Sequence, residues 1–259
     1  MERTFLLVLE FDGTGFCGWQ RQAEGRSVQA VVEQALSRLA GRNTKVIGAG
    51  RTDAGVHALG MPVSAAMPTR WEPETLLRAA NSVLPRDVAV REIREVVSGT
   101  DARRAALSRH YRFDIGTDGG GRSPFRARTE WALGRPVDVE AMTRTAALLP
   151  GEHDFRAFAI VGEPKPHYRC RVLEACWTPL DATRHRFTIA ADRFLHHMVR
   201  MLVGTMVDIG LGRRPESDMA RLLTLPHNAE TSAPAPAAGL SFVEATYPNS
   251  IFLTERASW

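Results

Sequence analysis

Cysteine is scarce in this chain: Cys17, Cys170 and Cys176 are the only three among 259 residues. The number is odd and no Cys-x-x-Cys occurs, which argues against a disulfide framework or a thiolate zinc site. The thiols read as reduced and inert. Lysine is scarcer still, with Lys45 and Lys165 the only two among 33 basic residues. Long apolar runs are missing as well. The run over residues 5–9 is too short for a signal h-region and ends in Glu10, and the run over residues 198–211 is broken by Arg200 and Asp208. No segment reaches transmembrane length, and a cytoplasmic location is expected. There is no G-x-x-x-x-G-K-[ST], no G-x-S-x-G and no H-E-x-x-H, which disfavours nucleotide-driven or metal-driven chemistry. The eight histidines supply no metal-ligand spacing. His196 and His197 are adjacent, so on a helix they point about 100° apart and do not clamp one ion.

A hydrophobic content of 44% and a charged content of 24% belong to a soluble globular chain, long enough for two ordinary domains or one large one. The net charge of +4 and pI near 9.3 lean toward anionic partners. Arginine in place of lysine suits bidentate phosphate contacts and stacking on bases. A compositional bias of the gene accounts for it equally, since the chain is also rich in Ala, Gly, Pro and Val.

One pattern runs through the chain twice. Residues 4–11 form a continuous apolar run that reads as a buried strand. Ser27 offers a helix N-cap, followed by Val28, Val31, Val32, Ala35, Leu36 and Leu39 at helical spacing. Residues 45–49 and 61–66 read as strands, Pro73 opens a second helix, and residues 87–96 form a last strand. The order β-α-β-β-α-β is that of the split βαβ, or ferredoxin-like, motif. The second half repeats it loosely: a strand over 109–116, a helix capped by Asp138 and stopped by Pro150-Gly151, and a hairpin over 171–178 and 185–191. An amphipathic helix over 195–209, a short helix after Pro215 and a strand over 240–247 follow. The expected architecture is α+β, with two ferredoxin-like domains of antiparallel sheet, residues 1–103 and 104–259. Residues 116–128 and 224–238 read as long loops, the second Pro/Ala-rich and mobile.

The stretch GAGRTDAGVHALG, residues 48–60, lies between two of these strands. It places the carboxylate of Asp53 two residues from the guanidinium of Arg51, on a loop whose glycines let the backbone approach a ligand. Two ordinary readings stand beside the catalytic one: an Asp that only forms a turn and an Arg in a surface ion pair. Arg200 sits at the border of an apolar helical stripe, placed to reach into a cleft or to snorkel outward. Tyr111, among arginines in RHYRF (residues 109–113), is a candidate base-stacking platform or a half-buried strand tyrosine. The segment GWQRQ, residues 18–22, offers donors and an aromatic at an exposed junction.

These residues resemble the TruA family of tRNA pseudouridine synthases. The resemblance includes FDGTGFCGWQRQ (11–22), SVQ (27–29), NSVLP (81–85), RHYRF (109–113), GEHDFRAF (151–158), FLHHMVRMLVG (194–204) and APAAGLSFVEATYP (235–248). It runs in order over nearly the whole chain. It implies two RNA-recognition-like domains with a catalytic cleft between them, a homodimer, and isomerisation of uridine to pseudouridine in the tRNA anticodon stem-loop (positions 38, 39 and 40) with no cofactor and no metal. It further implies that Asp53 is the catalytic aspartate, with Arg51 its arginine, Tyr111 the base-contacting tyrosine, and Arg200 the arginine that pairs with the aspartate. The chain departs from the family where Phe-His-Ala-Arg is often found, reading Thr100-Asp101-Ala102-Arg103, then at Arg104, and over residues 164–171. These departures bear on peripheral RNA contacts.

Breaking N1–C1′ and making C5–C1′ requires the base to leave the stack. Asp53 can attack C1′, add to uracil C6 or remove the C2′ proton, and the sequence does not choose. Candidate RNA contacts are Arg21, Gln22, Arg122, Arg126 and Arg128, which set position through phosphates. Two alternatives remain: a non-catalytic RNA-binding protein with paired recognition domains, which does not need Asp53, and an aspartate-dependent nucleosidase, which usually needs a second carboxylate.

Overall fold

The structure is a computed structural model that describes residues 1–118, 123–160 and 167–253. α and β elements alternate, and the strands pair mostly antiparallel. The chain forms two compact units: Met1–Arg109 with Phe242–Trp259, and His110–Ser241. Among the described residues no helix is long and apolar enough to cross a membrane.

The first unit opens with β1 (Glu2–Phe11), whose apolar run is buried on both faces: Phe5, Leu7 and Leu9 are fully enclosed and Leu6 nearly so. Two covered faces explain why no polar alternation appears in this strand. Helix α1 (Val28–Ala40) begins where Ser27 Oγ accepts from Ala30 N and ends at Gly41, which takes a left-handed φ of 72°. The strands β2 (Val46–Gly48) and β3 (His57–Pro68) flank the Arg-Thr-Asp loop. Helix α2 (Pro73–Val83) has Pro73 in its first turn, and β4 (Val88–Val96) closes the set. The sheet runs β4-β1-β3, with β2 also paired to β3, all antiparallel.

The second unit begins within β5 (Ser108–Gly116), at His110, and β5 pairs in parallel with the two-residue β6 (Trp131–Ala132). Asp138 caps α3 (Val139–Ala146) by accepting from Ala141 N. Next come β7 (Gly151–Asp154), β8 (Arg169–Pro179) and β9 (Arg184–Ala191), in the sheet order β5-β9-β8-β7. The two shortest strands of this unit, β6 and β7, have no apolar alternation and were not expected from sequence.

Helix α4 (Met198–Gly210) starts three residues later than its apolar stripe suggests. His197 has φ 62° and ψ 3°, a left-handed conformation that does not continue a right-handed helix. His196 and His197 therefore precede the helix, with ring centroids 4.3 Å apart. The expectation that they diverge by helical spacing is corrected. Gly210 lets α4 meet α3 closely, since a Cβ there would lie 2.7 Å from Met142 Sδ. A short α5 (Ser217–Leu222) follows. Within the Pro/Ala-rich segment after it Ser232 and Ala235 are buried, and a Cβ at Gly204 would lie 2.2 Å from Ala233 O. The last strand, β10 (Leu240–Thr246), brings residues from Phe242 onward back to the first unit beside β3. Gly60 of β3 permits this, because a Cβ there would stand 2.7 Å from Val243 O.

The NSVLP stretch has a visible task. Asn81 Nδ2 donates to Val90 O at 2.9 Å and its Oδ1 accepts from Val90 N at 2.8 Å, tying α2 to β4. Loss of both bonds in Asn81→Ala is expected to cost about 1–2 kcal/mol. Asn81→Asp, which keeps only the acceptor, should fall between that variant and wild type in urea unfolding.

Candidate active site

The Arg-Thr-Asp loop is braced from below by residues 12–19, which leave β1 and run beneath it. Trp19 is 3% exposed, and its N–H donates to Thr52 O at 3.0 Å. Its ring lies against Gly48, where a Cβ would stand only 2.6 Å away. Gly18 adopts φ 111°, and a Cβ there would lie 2.8 Å from Thr52 O. At Gly13 a Cβ would lie 2.0 Å from Val56 O. Three glycines thus let two stretches of backbone touch where side chains would hold them apart. His57 Nδ1 lies 3.1 Å from Gly13 N and 3.2 Å from Asp12 Oδ1, tying the ring to the segment that leaves β1. His57 is buried, and sequence reading gave it no role.

Within the loop the side chains alternate. Arg51 is exposed, Thr52 is buried and Asp53 is half-buried. Val56 N donates to Asp53 O at 3.2 Å, closing a turn in which Gly55 takes φ 78°. Asp53 is therefore a turn residue through its backbone. The expected role of Trp19 in an exposed junction is corrected: the indole is a buried wedge.

The other sequence candidates divide between the units. In the first, Arg21 Nη2 meets Glu33 Oε2 at 2.7 Å, and Arg21 N donates to Gln29 Oε1. Glu33 is buried, and its Oε1 also accepts from Val46 N at 3.2 Å. Gln22 Nε2 donates to Cys17 O at 3.0 Å. In the second, Tyr111 is 7% exposed and stands edge-on to Phe194, with centroids 5.0 Å apart. Arg200 does not snorkel. It is half-buried, its Nε donates to Ala235 O at 2.7 Å, and its own carbonyl accepts from Ala235 N at 2.9 Å. Its Nη1 lies 3.5 Å from His197 Nε2.

Arg126 is a poor phosphate ligand as it stands. Its guanidinium is forked onto Asp118 at 2.7 and 3.0 Å and also bonds Glu130. Those carboxylates hold it protonated well above the ordinary arginine range, Asp118 first. Arg128 is exposed, and Arg122 lies outside the described residues.

The wedge makes a prediction. Gly18→Ala should strain a left-handed position and push on Thr52 O, costing about 1–3 kcal/mol. Thermal melting should show the loss, and hydrogen exchange at the Trp19 amide should accelerate. Wild-type stability together with wild-type exchange at that amide would show the brace to be dispensable.

Both halves of the chain match known proteins. The sequence model of the tRNA pseudouridine synthase family matches residues 7–98 and 145–248. The tRNA pseudouridine synthase A of Myxococcus xanthus is 40% identical over 243 residues, covering 93% of this chain and 91% of its own length. That of Moorella thermoacetica is 40% identical over 245 residues, covering 93% and 98%. The enzyme of Porphyromonas gingivalis is 36% identical over 252 residues, covering 96% and 99%. Residues 51–53, the glycines that brace them and the strands on either side all fall in the first matched stretch, and Arg200 falls in the second. With both stretches matched in order and near-complete relatives at this identity, the chain belongs to the tRNA pseudouridine synthase family.

Proposed function

We propose that this protein isomerises uridine to pseudouridine in tRNA, at positions 38, 39 and 40 of the anticodon stem-loop. The carrying observation is a family match over both halves that includes a braced Arg-Thr-Asp loop. We also propose the finer architecture: two ferredoxin-like domains, residues 1–103 and 104–259 in chain order, working as a cytoplasmic homodimer without cofactor or metal. The β-α-β-β-α-β order of the first unit and its β4-β1-β3 sheet with β2 beside β3 support the first domain.

Asp53 supplies the anionic group of the reaction. Arg51 or Arg200 pairs with that carboxylate through a charge-assisted hydrogen bond. Tyr111 contacts the flipped uracil and serves the C5 proton. Its edge-on packing against Phe194 suits that role, because a group that must meet the base in one geometry gains from being held. The cleft must exclude water while the detached uracil turns. Arg21 and Gln22 bind phosphates outside it. Arg21 does so while paired to Glu33, so its contribution to the salt dependence is smaller than that of an unpaired arginine.

Asp53→Asn is expected to abolish pseudouridine formation while leaving tRNA affinity within about tenfold, about 1.4 kcal/mol. Tritium release from C5-labelled uridine in tRNA reads the activity. A pure binder releases none, and a nucleosidase gives free base instead. Appreciable turnover by Asp53→Asn would remove the aspartate from the chemistry.

The partner makes its own prediction. A net charge of +4 gives a weak global field, so tRNA capture must rest on concentrated charge across a dimer. Affinity should fall steeply with salt as counterions are released, and sedimentation should show two copies. A salt-independent affinity or a monomer at working concentration would refute the corresponding part.

A further inference from the structure

Arg109 stands near the start of β5. Its guanidinium turns back and donates to three backbone carbonyls. Nε reaches Ala49 O at 3.1 Å, Nη1 reaches Ala106 O at 3.0 Å, and Nη2 bonds Arg103 O. Ala49 is the residue at which β2 passes into the Arg-Thr-Asp loop, and its N–H is held by Pro62 O at 2.8 Å. The other two carbonyls belong to the turn that follows β4. That turn is itself anchored. Asp101 Oδ1 accepts from Arg103 N at 2.8 Å and Arg104 N at 3.0 Å, Ala102 N donates to Ser64 Oγ at 3.1 Å, and Tyr247 Oη donates to Ala102 O at 2.7 Å.

We propose that Arg109 is a positioning residue for the Asp53 loop, fixing the start of the loop to the Asp101-capped turn through its forked guanidinium. The proposal rests on the reading of Asp53 given above. Ala49 lies one residue past the end of β2, and Pro62, whose carbonyl accepts the Ala49 N–H, has no N–H to return, so the donor to Ala49 O comes from the Arg109 side chain. The planar fork of arginine serves three acceptors in fixed directions, whereas the ammonium of lysine, a single point of charge on a flexible stem, does not. The distance from Ala49 to Asp53 is four residues, and a small displacement at the start of the loop moves the carboxylate with it.

The test compares wild type, Arg109→Lys, Arg109→Ala and Asp101→Ala in single-turnover tritium release at saturating enzyme, with tRNA Kd and melting measured on the same preparations. The rate is expected to fall about tenfold in Arg109→Lys and about a hundredfold in Arg109→Ala, the size of effect that a misplacement near 1 Å produces. Kd should stay within about threefold, and ethylguanidinium should restore part of the Arg109→Ala rate. Asp101→Ala, which uncaps the turn without touching Arg109, should lower the rate less. It keeps the proposal open to test even where Arg109→Ala fails to fold. Hydrogen exchange should accelerate at Ala49, Gly55 and Val56 in the variants. A lower melting point with unchanged rate and unchanged loop exchange would reduce Arg109 to a staple of the fold. A weakened Kd with unchanged rate would make it an RNA contact. Both outcomes overturn the proposal. Wild type inactive on tRNA would instead remove the proposed function, and loop exchange would still decide whether Arg109 orders the loop.

Discussion

The contact between the backbone of residues 13–19 and that of residues 48–56 underlies everything else in the first unit. Two irregular segments, each rich in polar backbone groups, are pressed together until their carbonyls and glycines touch. Such a contact is stable only if the backbone groups find partners. Here Trp19 N–H bonds Thr52 O, Gly55 N–H bonds Phe16 O, and the Trp19 ring seals the side. The indole supplies the apolar area that short loops lack, and the glycines remove the atoms that would block the approach. Asp53 thereby sits on a loop that is irregular in conformation but packed like an element.

Arginine does two kinds of work in this molecule. Much of it is structural. Arg26 forks onto Asp87, Arg186 onto Asp114, Arg144 onto Glu216 and Arg126 onto Asp118. The Arg26 guanidinium holds the Asp87 carboxyl below its ordinary range. Lysine could not replace these bidentate pairs. The count of basic residues therefore overstates the field presented to a nucleic acid.

In the second unit, small residues again permit the decisive approaches. Gly204 admits the carbonyl of Ala233 against α4, and that same segment supplies Ala235, which bonds Arg200 through both side chain and backbone. A border arginine on an isolated helix would have been drawn to solvent. It is kept half-buried because a stretch of chain thirty-odd residues later in sequence folds over it.

The order of elements was legible in the sequence because it rests on local signals. Ser27, Pro73 and Asp138 mark helix starts through groups that act within four residues, and the runs of β1, β3 and β8–β9 follow from burial periodicity. The Arg-Thr-Asp loop was legible for the same reason, as glycines and charge between two apolar runs. What the sequence could not disclose were contacts between distant segments. Trp19 looks like an exposed aromatic until Gly48 is placed beside it. The approach of Ala233 to α4 is invisible until Gly204 makes room for it, and α4 looks three residues longer until His197 turns left-handed. Arg109 reads as a strand residue until Ala49, Arg103 and Ala106 present their carbonyls to it. Local chemistry determined which elements form and where the Asp53 loop stands in the chain. Only the tertiary structure decided which side chains brace it, because hydrogen-bond directions and close approaches depend on residues that sequence spacing does not bring together.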